Sequence, residues 1–155
     1  MRSGKEYLAS LRDGRRVYVG GELIDDITTH PMTKGYANAI AEYYDLHLDP
    51  KHQDMTTFID EGGKRQSMHW FLPRSKEDVV KRRQYCDFLC RHFKGGIFTR
   101  PPAGMNVVMF TQVDDQKPWS DNSRFSGKPR DLSKNIQKQW EEVTSKDLAI
   151  SPMFL

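Results

Sequence analysis

This chain of 155 residues is short of several things that would fix its class at once. It has no uninterrupted apolar run of about 18 residues, which excludes a membrane-spanning helix. Its opening residues, MRSGKEYLASLRDG, contain no apolar stretch of the kind a secretory signal needs. Cysteine is scarce. Cys86 and Cys90 cannot make a disulfide framework, and their four-residue spacing on one predicted helix argues against a mutual bridge. Neither charge sign dominates: 24 Lys and Arg face 21 Asp and Glu, for a net charge of +3. The mixture is too mild and too even to imply a nucleic acid or an anionic membrane as partner. Hydrophobic residues are also sparse at 37%, with a mean hydropathy of -0.75, although the 11% of aromatic residues can bury large areas each. The class that remains is a soluble protein of a reducing compartment, hence cytoplasmic, with room for one compact domain or two small ones.

Several motifs are missing too. There is no Walker loop, no GxGxxG after a strand and no GxSxG. The histidines (His30, His47, His52, His69 and His92) are scattered without an HExxH or HxH pattern, and no second Cys/His pair joins Cys86 and Cys90 at zinc-site spacing. The expectation is therefore no metal, with both cysteines acting as small hydrophobes.

What is present is local punctuation. Ser3-Gly4-Lys5-Glu6 reads as a capping box that opens a short helix through Tyr7, Leu8 and Leu11. Val17-Tyr18-Val19 and Glu22-Leu23-Ile24 flank Gly20-Gly21, a two-residue hairpin turn. Thr28-Thr29-His30-Pro31 reads as the start of a helix whose buried face is Ala37, Ile40, Ala41, Tyr44 and His47, stopped by Asp49-Pro50. A second hairpin is expected between Thr56–Ile59 and Met68–Phe71 across Glu61-Gly62-Gly63. Ser75-Lys76-Glu77-Asp78 opens the longest helix, with Val79, Tyr85, Cys86, Leu89 and Phe93 on its apolar face and Gly95-Gly96 at its end. Residues 97–106 form a Pro/Gly loop and Asp114–Arg130 a polar, exposed one. Asp131 caps a last helix through Ile136, Trp140 and Val143, and Asp147-Leu148-Ala149-Ile150 reads as a strand start. The chain then stops on the apolar Pro152-Met153-Phe154-Leu155, which suggests that sequence is missing beyond it.

Two charged features need a role. Lys81-Arg82-Arg83 reads as a solvated helix face, because no aromatic residues interleave it as in a nucleic-acid patch. Arg100 is the one charged residue in a loop of Gly, Pro and Met. Held between prolines, it either offers a bidentate fork to a carboxylate or phenolate, or is an ordinary surface arginine.

The run Gly4-Lys5-Glu6-Tyr7-Leu8-Ala9-Ser10-Leu11-Arg12-Asp13-Gly14-Arg15, then Val17-Tyr18-Val19, Gly21-Glu22 and Asp26-Ile27-Thr28-Thr29-His30-Pro31, strongly resembles the opening of the 4-hydroxyphenylacetate 3-hydroxylase family. The agreement continues through Tyr44-Asp45-Leu46-His47, Gln53-Asp54, Pro73-Arg74-Ser75-Lys76-Glu77-Asp78 and Asp147-Leu148, and covers essentially the whole chain. The resemblance implies the oxygenase component of a two-component flavin monooxygenase. Such a protein takes reduced FAD from a separate flavin reductase and uses O2 to hydroxylate a phenol ortho to its hydroxyl. It also implies an α+β, mainly helical fold with two short β-hairpins, the N-terminal domain of an acyl-CoA-dehydrogenase-like flavoprotein architecture. Residues 1–146 would form that domain, with the exposed loop at 114–130, and 147–155 the first strand of a truncated β-barrel domain. The intact protein would be a homotetramer.

The family's substrate loop, of the form Gly-Arg-(Ser/Thr)-Pro-Asp-Tyr, corresponds here to Thr99-Arg100-Pro101-Pro102-Ala103-Gly104. The resemblance makes Arg100 the catalytic residue, favouring the reactive phenolate, within a substrate-binding stretch of Arg100, Pro101, Pro102, Ala103 and Gly104. Ser151, Pro152 and Met153 would border the flavin, which this segment alone would not bind. Two family groups are absent: Gly104 stands at the tyrosine position and Pro152 at that of a histidine. A related dehydratase branch adds cluster-ligating cysteines around this loop, and none lies between Gly96 and Pro101 here. A different class stays open beside the monooxygenase: a non-catalytic interaction or binding module derived from the family.

Overall fold

The computed structural model describes residues 1–95, 112–120 and 131–148, which belong to two compact units, Met1–Ser67 and Met68–Leu155. The mainly helical α+β class with two two-stranded antiparallel hairpins holds.

In the first unit, α1 (Gly4–Ser10) begins at the expected capping box. Ser3 Oγ accepts the Glu6 N–H at 3.2 Å, and Glu6 Oε2 accepts the Ser3 N–H at 2.7 Å. The helix lies against α2 (Lys34–Leu46), where the Gly4 N–H donates to Asp45 Oδ1 at 2.7 Å and the Tyr7 ring meets Tyr44 at 5.2 Å. The Arg2 guanidinium covers both rings, 5.6 and 5.4 Å from their centroids. Between the helices, β1 (Val17–Val19) and β2 (Glu22–Ile24) pair through Gly20 and Gly21 at φ 59° and 87°. Positive φ at both turn residues matches the right-handed twist of the strands. Ile24 points inward, and the cross-strand pair Tyr18 and Leu23 points to solvent.

The start of α2 differs from expectation. Thr28-Thr29-His30-Pro31 precedes the helix instead of opening it. Asp26 Oδ1 accepts the Thr28 N–H and hydroxyl, and His30 Nδ1 accepts the Met32 N–H, so local turns take up the backbone groups before Lys34. The inward face of α2 is as read: Ala37, Ile40, Ala41 and Tyr44 are buried, and His47 beyond the helix end is fully buried. His47 Nε2 lies 3.0 Å from Ser67 Oγ, which is 3.3 Å from the Tyr43 hydroxyl.

The second hairpin is shorter than expected. After the four-residue helix α3 (Gln53–Thr56), β3 (Thr57–Ile59) pairs with β4 (Arg65–Ser67), not with Met68–Phe71. Asp60 Oδ1 accepts the N–H groups of Gly62 and Lys64, and Gly63 takes φ 77°, so the turn closes before the apolar run is reached. Met68–Trp70 instead winds into a 3₁₀ turn with Met68 and Trp70 buried.

The second unit contains that turn, α4 (Lys76–His92), α5 (Lys117–Ser120) and α6 (Ser133–Ser145). Ser75 and Asp78 form the capping box of α4. Tyr85 and Leu89 are buried as expected, but Val79 is 57% exposed beside the equally open Val80, one helical face away. The polar 114–130 span, read as an exposed loop, holds the turn α5, with Gln116 and Trp119 half-buried and the Leu132 N–H donating to Trp119 O at 2.9 Å. Asp131 does not cap α6: the N-cap is Leu132, which has no side-chain cap, and Asp131 one residue earlier accepts the N–H and hydroxyl of Ser133 in a local turn.

Candidate functional site

Every residue the sequence assigns to chemistry lies outside the described residues: Arg100, Pro101, Pro102, Ala103 and Gly104 on one side, Ser151, Pro152 and Met153 on the other. Of the expected strand start Asp147-Leu148-Ala149-Ile150, Asp147 and Leu148 are described and form the turn that ends the last helix instead of extended strand, and Ala149 and Ile150 lie outside the described residues. The structure does describe residues that flank these stretches in sequence: the end of α4, Asp114 and the end of α6.

The first anchor is the end of α4. Lys94 and Gly95 take φ 52° and 79°, and the N–H groups of Lys94 and Gly95 donate to Arg91 O and Cys90 O at 3.4 and 2.7 Å. This paired reversal is a Schellman ending, and it sets the direction in which the chain departs toward Arg100.

The second anchor is ionic. Arg74 Nη1 and Nη2 donate to Asp114 Oδ2 and Oδ1 at 2.9 and 2.6 Å, a bidentate fork. The hydrogen bond from Arg74 holds the Asp114 carboxyl below its ordinary range. Arg74 also donates its N–H to Asp78 Oδ2, so the fork is tied to the start of α4. Nearby, Arg82 is more than a solvated charge: Nη1 donates to Phe71 O at 2.6 Å, with the Lys81 ammonium 5.3 Å from the Phe71 ring centre.

The third anchor closes α6. Asp147 takes φ 48°, with its N–H donating to Thr144 O at 3.3 Å and the Leu148 N–H to Val143 O at 2.9 Å. This is a second Schellman ending, with aspartate where glycine is usual. The side chain is buried, and Oδ1 accepts the Trp70 indole N–H at 3.1 Å. The Trp70 ring stands edge-on to Trp140, with centroids 5.6 Å apart at 89°. Sequence reading missed Trp70, Trp140 and Asp147 as a group. No short-range signal pointed to them, since Trp70 and Asp147 stand 77 positions apart.

The cysteines are half-buried on α4, and burial pushes the Cys86 thiol above its ordinary value, away from the thiolate a ligand or nucleophile requires. Among the described residues no cluster of three or more His, Cys, Asp or Glu could hold a metal, and no helix is long and apolar enough to cross a membrane. A dinucleotide cradle brings glycine backbone close against phosphate. Here the positive-φ glycines Gly14, Gly20, Gly21, Gly63 and Gly95 sit in turns with open space around them, and Gly4 is closed by Ala41.

Comparison with known proteins supplies the context. Residues 3–154 match the family described as 4-hydroxyphenylacetate 3-hydroxylase N terminal. Over 156 residues, 100% of this chain and 30% of the relative, the sequence is 65% identical to the oxygenase component of 4-nitrophenol 4-monooxygenase/4-nitrocatechol 2-monooxygenase of Rhodococcus opacus. It is 39% identical to the 2,4,6-trichlorophenol monooxygenase of Cupriavidus pinatubonensis, over 100% of this chain and 30% of that one. The fold is similar to the crystal structure of the oxygenase component (HpaB) of 4-hydroxyphenylacetate 3-monooxygenase complexed with FAD, with a TM-score of 0.79 and 27% identity over 96% of this chain and 29% of that chain. The chain thus spans about 30% of the length of these relatives. With the match running from Ser3 to Phe154 and the fold agreeing, the chain belongs to the 4-hydroxyphenylacetate 3-hydroxylase family, in its N-terminal part.

Proposed function

We propose that this chain acts as the N-terminal part of a longer, reduced-FAD-dependent monooxygenase that hydroxylates an electron-poor phenol with O2. The observation that carries this reading is the 65% identity, sustained over the full chain, to an oxygenase component named for 4-nitrophenol and 4-nitrocatechol. The second relative is named for a chlorinated phenol. FAD, supplied reduced by a partner flavin reductase, provides the oxidising chemistry. In this reading the whole enzyme is a cytoplasmic homotetramer, and residues 1–146 and 147–155 contribute its helical domain and the first strand of the next.

The residues give the substrate class a physical reason. Hydroxylation beside a phenolic oxygen needs electron density pushed into the ring, which the phenolate supplies far better than the phenol. A site using tyrosine and histidine can hold or remove the phenol proton. Here those two positions are Gly104 and Pro152, neither of which can exchange a proton. Nitro and chloro groups withdraw charge and lower the phenol pKa, so such substrates arrive already ionised. A single cation, Arg100, then suffices to hold the oxyanion.

The test replaces the matching 156 residues of the Rhodococcus opacus oxygenase with this chain and supplies reductase and NADH. Product formation from 4-nitrophenol should exceed that from 4-hydroxyphenylacetate, and Arg100→Ala should lower it roughly ten- to a thousandfold. Equal turnover of both phenols would remove the substrate assignment, and an Arg100→Ala rate within threefold of the parent (about 0.7 kcal/mol) would remove the role of Arg100.

A further inference from the structure

Asp147 combines two unfavourable features at one position. An L-residue with a β-carbon is held at φ 48°, where glycine is at ease, and a carboxylate is buried with 7% of its surface exposed. Glycine would meet the backbone demand of the Schellman turn without either. What aspartate adds is the 3.1 Å hydrogen bond to the Trp70 indole. Trp70 is itself 3% exposed and is flanked by Trp140, which comes from the same helix that Asp147 terminates. The pair therefore joins the 3₁₀ turn Met68–Trp70 to the turn that ends α6, four residues before Ser151.

We infer that the Trp70–Asp147 hydrogen bond is a positioning contact that sets where the chain leaves α6 on its way to Ser151, Pro152 and Met153. The inference rests on the proposed function, which puts those three residues beside the flavin. Strain that the sequence retains although glycine would relieve it is better explained by placement than by stability. Asp147 and Trp70 act through the segment that follows and touch neither substrate nor cofactor in this scheme.

Three substitutions separate placement from stability. Asp147→Gly relieves the backbone and deletes the acceptor. Asp147→Asn keeps both an acceptor oxygen and a side chain tolerant of positive φ. Trp70→Phe keeps an aromatic ring and deletes only the N–H. In the 155-residue chain, Asp147→Gly should shift the tryptophan emission to longer wavelength while leaving the melting temperature within a few degrees, and Asp147→Asn should leave both unchanged. In the Rhodococcus opacus chimera, Asp147→Gly and Trp70→Phe should cut the ratio of hydroxylated phenol to hydrogen peroxide by about tenfold, as a displaced segment costs reaction geometry. Asp147→Asn should restore it. Wild-type ratios in both disrupting variants, or an Asp147→Asn ratio as poor as Asp147→Gly, would overturn the inference while leaving the proposed function intact. Loss of cooperative melting in both Asp147→Gly and Trp70→Phe would overturn it by making the contact a structural one. A parent chimera that hydroxylates no phenol would overturn the proposed function and this inference together.

Discussion

Gly4 lies so close to Ala41 that a β-carbon on it would stand 2.4 Å from the Ala41 carbonyl oxygen and 2.7 Å from Asp45 Oδ2. The separation of α1 and α2 is thus fixed by the absence of a side chain. Alanine is the better helix former by about 1 kcal/mol at an interior position, less in a first turn. The clash is with backbone, which cannot swing away. Gly4→Ala should therefore lower stability by about 1–3 kcal/mol, the cost of overpacking. Urea unfolding decides it, and a variant as stable as the parent would mean that the helices slide apart freely.

Asp13 and Arg15 make the clearest pH prediction. The side-chain and backbone hydrogen bonds from Arg15 lower the Asp13 pKa to about 2. Because the folded-state value is depressed, the stability this pair contributes is present above the ordinary aspartate pKa and lost as pH falls through the ordinary value toward about 2. Arg15→Ala should return the Asp13 midpoint to near 4, about its unperturbed value. A carboxyl-resolved NMR titration reads this directly, and an unchanged midpoint would show that the pair does not persist in solution.

The two faces of α4 should respond very differently to truncation. Leu89 is 2% exposed and Val79 57%. Leu89→Ala should cost about 2–5 kcal/mol, whereas Val79→Ala should stay within about 0.5 kcal/mol. Comparable losses at both positions would contradict the orientation of the helix in this unit.

Most of the fold was legible because its instructions are local. Both capping boxes, the Gly20-Gly21 turn and the inward face of α2 each depend on residues a few positions apart. The failures have physical causes as well. Met68–Trp70 looked like a strand because its residues are large and apolar, but Asp60 and Gly63 close the hairpin before the pairing can reach them. Thr28 and His30 looked like helix caps, and both do make local hydrogen bonds, in turns that come before the helix. Val79 stands six residues before Tyr85 and ten before Leu89, roughly 120° and 80° around the helix from them, so it falls off the buried face that those two mark. For the site, the resemblance supplied Arg100 and the 151–153 stretch, whereas the Trp70–Asp147 pair joins positions 77 residues apart and has no short-range signature.

That pair also makes Asp147 a position where handedness matters as much as residue type. At φ 48° the backbone is relaxed for a D-amino acid, the mirror image of what the ribosome supplies. A D-aspartate there would exchange the places of the side chain and the α-hydrogen and carry the carboxylate away from the indole. The backbone asks for one enantiomer and the hydrogen bond for the other. Glycine, being achiral, can satisfy only the first demand, so no single residue meets both, and the chain uses the L-form that keeps Trp70 in hand.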